Sequence, residues 1–195
     1  MKSIFLLTLA VCSLAAVPAT KPVTPPARVR DGLVNGSIRF LVPAEWELAD
    51  RGANGTSVGY RLPEEKGGVV MLVTQQKEGI PVNDARVRAQ LIKFVLDNAA
   101  ADLKARNKEV IDAPKVESDA RFMAKIHERF KDGDTTIDAV HLYRAVGLNL
   151  VSVTASASTD DKAEAKVIHD AGALMLMSVT VGPPDPKMIR PLKKE

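Results

Sequence analysis

Apolar residues along the chain recur with two different periods, and each change of period marks an element. Alternation runs over "SIRFLV" (Ser37 to Val42), setting Ile38, Phe40 and Val42 on one side of a strand and Arg39 and Leu41 on the other. Pro43 has no N–H to give to a ladder, so the strand ends there and "AEWELA" reads as a loop. A short strand, Ser57 to Leu62, lies between glycine-bearing turns at Asn54-Gly55 and Gly67-Gly68. The β-prone run "VVMLVTQQK", Val69 to Lys77, then reads as a central strand, and the three segments predict a meander.

From Asn83 or Asp84 the period lengthens. Val87, Leu91, Phe94, Val95 and Asn98 fall at helical spacing, with Arg88, Lys93, Asp97 and Lys104 elsewhere, which predicts a capped amphipathic helix to about Arg106. Pro114 breaks the pattern within "NKEVIDAPKVESDA", a connecting loop on this reading. "RFMAKIHERF", "DTTIDAVHLYRA" and "LNLVSVTASAS" return to strands, the first two joined at Asp132-Gly133 and the last two at Gly147. Ser158 or Thr159 then caps a helix through Met177, with Ala163, Val167, Ala171, Leu174 and Met175 on one side. Asp160, Asp161 and Glu164 suit the positive end of its dipole.

The order predicts an α+β fold: an antiparallel β-sheet of about six strands in two meanders, flanked by helices. An opening strand closing in "VPAEW", a strand of the "VVMLVTQQ" type, a capped long helix, and a hairpin ending in "LVSVTASAS" before an acidic-capped helix resemble the PsbP/Mog superfamily. The resemblance covers residues 35–181 and implies an α/β/α sandwich. Characterised members of that superfamily mostly bind other proteins, so the resemblance implies a binding or accessory module; it carries over no functional residue.

Composition and the N-terminus set the compartment. "MKSIFLLTLAVCSLAAVPAT" has one lysine, an uncharged apolar run and small residues at Val17 and Ala19, the pattern of a secretory signal peptide over residues 1–19 cleaved after Ala19. The run is too short for a permanent span. "LAVC" resembles a lipobox, so lipidation at Cys12 is the alternative; if Cys12 leaves with the leader, no thiol remains for disulfide, nucleophile or metal. Residues 20–34 are proline-rich and aperiodic and read as an extended tether. Residues 182–195 read as a basic solvated tail, with contact to an anionic surface as the alternative. The 27 basic and 24 acidic residues interleave along the chain, which points away from nucleic acid.

Candidate chemistry is sparse. Centring the hairpin turn on Asp132-Gly133 places His127 opposite Asp138, with Lys125 and Arg129 on the same face; one histidine and one carboxylate among cations read as a solvated cross-strand ion pair. On the other face the same register sets Glu128 against Ile137 and His141 against Ala124, beside Phe122, Ile126, Phe130 and Tyr143. Glu128 and His141 are therefore the candidates for a polar pocket. His169 reads as a helix-surface residue. No HExxH, GxSxG, Walker or dinucleotide pattern occurs, so no catalytic residue, cofactor or metal site is assigned. The Asn35 and Asn54 triplets match glycosylation sequons but are accounted for by turns. Trp46, the single tryptophan, reads as core or edge packing rather than a ligand platform.

The sequence therefore predicts an exported accessory module that recognises a protein partner in the cell envelope, with the loops Leu48 to Gly55, Glu78 to Asn83 and Asn107 to Ala120 as the places for contact. An exported enzyme or small-ligand binder using Glu128 and His141 is the alternative.

Overall fold

The computed structural model describes residues 27–76 and 84–192; the leader, Cys12, residues 20–26, the loop 78–83 and the last three residues of the basic tail lie outside them. Seven strands form one antiparallel sheet: β3 (Glu47–Arg51), β4 (Ser57–Arg61), β5 (Gly67–Gln75), β9 (Asn149–Ser158), β8 (Thr135–Val146), β7 (Ala124–Asp132) and β6 (Glu109–Val116), in that spatial order. A smaller sheet joins β2 (Ile38–Pro43) to β1 (Arg28–Leu33) on one side and β10 (Thr180–Val181) on the other.

Helix α1 (Ala85–Ala105) lies on one face of the large sheet, over β6 and β7, while α2 (Lys162–Met177) packs against β9 and β8 on the opposite face and also reaches β2. The α+β class and the helix–sheet–helix layering expected from the sequence are both present, with ten strands among the described residues in place of about six. The added strands are β1, β3, β6 and β10. Each is at the edge of its sheet, and β3 and β6 slip register at Leu48/Asp50, Val110/Asp112 and Asp112/Lys115. Pro114 falls inside the last of these slips, since an edge strand tolerates a missing donor at a bulge.

The main core lies between the large sheet and the layer made by β2 and α2. Ile38, Phe40 and Val42 meet Val69, Met71, Val151, Val153 and the helix residues Ile168, Met175 and Leu176 there. Trp46 is buried in this core, as expected. A second, smaller cluster sits under α1, where Val95 contacts Ala124 and Ile126 with Leu91, Ile92, Leu96 and Tyr143 around them.

The apolar faces of both helices are rotated from the expected ones. On α1 the buried stripe runs through Val95 and Leu103, and Phe94 is 66% exposed; on α2 it runs through Ala165, Ile168, Ala173, Met175 and Leu176, leaving Val167 69% exposed. The N-caps are Asp84 and Asp161, whose carboxylates accept from the N–H groups two residues on at 2.7 Å in both cases.

Residues 28–33 and 182–190 depart from the expected tether and tail. Arg28–Leu33 is paired along its whole length with β2, and Asp31 within it is fully buried. Its carboxylate accepts from the amides of Gly32 (2.6 Å) and Arg190 (3.0 Å), from the Arg51 guanidinium and from the Tyr60 hydroxyl. Arg51 also donates to the Arg190 carbonyl at 3.1 Å, and the Asp185 amide donates to the Asn35 carbonyl at 2.9 Å. Residues 182–190 are therefore docked on the small sheet while much of their surface stays exposed: Gly182 and Asp185 donate to the Ser37 and Asn35 carbonyls, and the Arg190 N–H supplies one of the donors that the buried Asp31 carboxylate requires. Burial and the Asp31 carboxylate push the Tyr60 phenol well above its usual range.

Candidate functional site

The hairpin β7–β8 supplies side chains to both faces of the large sheet. Its turn is centred on Gly133-Asp134, so that Asp132 pairs with Thr135 and Arg129 with Asp138. Gly133 alone of the two has positive φ, +61°, the requirement of a turn with glycine first rather than of an Asp-Gly turn. The register is thus two residues from the expected one. An even slip preserves the faces, so each residue keeps its side of the sheet and only its partner changes. His127 stands opposite Val140, Glu128 opposite Ala139 and His141 opposite Ile126.

On the α2 face, Asp138 is buried at the floor of a cleft between the helix and strands β6 and β7, with a volume of about 320 Å³. Oδ1 of Asp138 lies 2.7 Å from Nε2 of His127 and 3.4 Å from Nε2 of His169; the same His169 nitrogen is 3.1 Å from the Asp138 carbonyl. Arg129 holds the other oxygen as an ion pair, Nε to Oδ2 at 3.1 Å, without hydrogen-bond alignment. His127 and Asp138 are in contact, then, but along a diagonal, largely buried rather than solvated, and with a second histidine on the same carboxylate. His169 is not a surface residue: it faces this cleft, its ring edge-on to His127 with centroids 5.7 Å apart. Burial, partly offset by Asp138, lowers the His169 pKa.

The rim carries Lys125, paired to Glu117 at 2.8 Å, and Lys166, paired to Asp170. Lys125 in turn holds the Glu117 carboxyl below its usual range. Among the described residues, no serine, threonine, tyrosine or cysteine lines the cleft. Both ring nitrogens of His127 face carboxylates, Asp138 at 2.7 Å and Glu117 at 3.6 Å, so neither is presented to a substrate proton. The cleft thus sets one carboxylate between two imidazoles, a donor set able to hold a ligand or ion.

On the α1 face, Glu128 and His141 meet: Nε2 of His141 is 3.2 Å from Oε1 of Glu128, and Nδ1 is 3.0 Å from the Thr154 hydroxyl. Glu128 is buried and its Oε2 has no hydrogen-bond partner. The pair is at the margin of an open surface. Gly59, Val70, Thr154, His141 and Ile126 form one row across β4, β5, β9, β8 and β7. Helix α1 covers the Ile126 end; at the other, Val70 and Leu72 of the central strand β5 are 52% and 45% exposed, beside Ser152 and Thr154. Two of the three loops expected to make contact are partly strand instead, since Leu48 to Arg51 lies in β3 and Glu109 to Val116 is β6.

No protein-family model matches the chain, and no curated protein matches it. Among solved structures, the fold is similar to cyanobacterial PsbP from Synechocystis sp. PCC 6803, with a TM-score of 0.47 at 13% identity over 86% of this chain and 100% of that one. It is similar to a crystal structure from Bacteroides thetaiotaomicron, with a TM-score of 0.46 at 9% identity over 80% of this chain and 48% of that one, so the chain spans about half of that protein. It is also similar to LpqN, involved in cell envelope biogenesis of Mycobacterium tuberculosis, with a TM-score of 0.43 at 11% identity over 80% of this chain and 91% of that one. A PsbP thus stands among the structures that the fold resembles. Among the described residues no helix is long and apolar enough to cross a membrane.

Proposed function

We propose that the chain is an exported, non-catalytic accessory module of the cell envelope that recognises a protein partner with the α1-side face of its large sheet. The observation that carries this reading is the exposure of Val70 and Leu72 in the middle of a seven-stranded sheet, where a helix on that face covers only the β6–β7 side. Around them Gly59, Ser152 and Thr154 are small, so a partner's side chains can approach the strand surface closely. The leader pattern of residues 1–19 supports export. Affinity capture from the native envelope fraction, comparing the mature chain with a Val70→Asp/Leu72→Asp variant of unchanged circular dichroism, tests the reading. It expects a partner held by the wild type and lost by the variant; equal recovery by both overturns it.

A second reading rests on the contact between His141 and Glu128 and on the unpartnered Glu128 oxygen: the pair binds a small polar ligand at the margin of the same face. His141→Gln would then abolish ligand binding while leaving partner capture intact.

A further inference from the structure

We propose that His127, Asp138 and His169 form a binding site for one divalent transition-metal ion of the zinc type, on the α2 face of the sheet. The three residues come from β7, β8 and α2, and their ligand atoms all lie within 4.8 Å of one another. Two imidazoles and one carboxylate are the donor set that zinc and its neighbours accept, and three protein ligands leave a fourth position for water or a ligand. All three residues line the 320 Å³ cleft.

One of the three ligand spacings matches the donor set. Tetrahedral ligand atoms about 2.0–2.1 Å from zinc sit roughly 3.3 Å apart; Nε2 of His169 is 3.4 Å from Oδ1 of Asp138. The 2.7 Å between His127 and the same oxygen is a hydrogen-bond separation, which widens when an ion replaces the shared proton.

The surroundings fit as well. Nδ1 of His127 is buried, has no hydrogen-bond partner and points toward Glu117 at 3.6 Å, the place of the carboxylate that commonly fixes a metal-binding imidazole. Arg129 engages Oδ2 of Asp138 and leaves Oδ1 for the ion. Of the five cations that line the cleft, Lys125 and Lys166 are each paired with a carboxylate and Arg129 with Asp138 itself, which reduces their repulsion of an ion, while Lys115 and Lys162 make no ion pair among the described residues. Sequence spacing hides the set, because the two histidines are 42 positions apart and on different elements.

The site is on the opposite side of the sheet from Val70 and Leu72, so it stands or falls separately from partner recognition. Untagged mature protein, stripped with chelator and dialysed, is titrated with Zn²⁺ by calorimetry and with Co²⁺ by visible absorption. The expected result is one equivalent of each, with affinity reduced roughly tenfold or more in His127→Gln and in His169→Gln and unchanged in His141→Gln. Wild-type imidazole NMR gives a readout free of folding effects in the variants: Zn²⁺ should shift His127 and His169 and leave His141 in place. Absence of saturable Zn²⁺ binding, or binding that ignores His127 and His169 in the NMR spectrum, overturns the proposal.

Discussion

The main-chain N–H of Arg190 donates to the buried carboxylate of Asp31 across 3.0 Å, which ties the last described segment to the first strand. Because Asp31 also accepts from Gly32, Arg51 and Tyr60, one side chain joins β1, β3, β4 and the C-terminal segment. Asp31→Ala leaves a mostly buried guanidinium and a buried phenol without their acceptor, an expected cost of about 3–5 kcal/mol. Urea unfolding of the variant measures it, and a loss below about 1 kcal/mol, the scale of a surface pair, would contradict the network's role.

The same network has a signature in alkali. The chain has two tyrosines. Burial raises the pKa of both, and the Asp31 hydrogen bond and charge raise Tyr60 further. A phenol whose folded pKa exceeds its unfolded value contributes stability that is complete below about pH 10 and is lost as the pH rises beyond it. Ultraviolet titration should therefore show tyrosinate appearing together with loss of ellipticity. A reversible ionisation step near pH 10 (about the value of a free phenol) in a protein that stays folded would contradict this.

Helix α2 approaches β9 closely because Gly172 faces Ala155. A Cβ on Gly172 would lie 2.7 Å from the Ala155 Cβ. Overpacking of this kind costs about 1–3 kcal/mol, against a helix-propensity gain of at most about 1 kcal/mol. Gly172→Ala should thus lower the denaturation midpoint, and adding Ala155→Gly should restore part of it. A Gly172→Ala protein more stable than the wild type would show that the helix shifts freely on the sheet.

Much of this arrangement was legible in the sequence, for reasons that individual residues make clear. Strands β5, β8 and β9 are interior to the large sheet, and their apolar runs carry both packing and pairing signals, so they were expected nearly where they occur. Edge strands carry less: β6 contains a proline and two register slips, and β1 follows a proline-rich stretch, so both read as irregular. The glycine of the β7–β8 turn was found, but not which of its neighbours shares the turn, which moved every cross-strand pair by two positions. Glu128 and His141 were recognised because they are near in sequence and register. His169 was not, since nothing along a helix reports which distant strand its side chain meets; only the packing of α2 on β8 brings it to Asp138.

Partner recognition through the open sheet face is tested most directly by site-specific photo-crosslinking in the native cell envelope. A photoreactive residue replacing Leu72, 45% exposed on β5, is compared with one replacing Val167, 69% exposed on α2. The account predicts one discrete protein adduct at position 72 and none at position 167, despite the greater exposure of the latter. No adduct at position 72, or the same adducts from both positions, would contradict it.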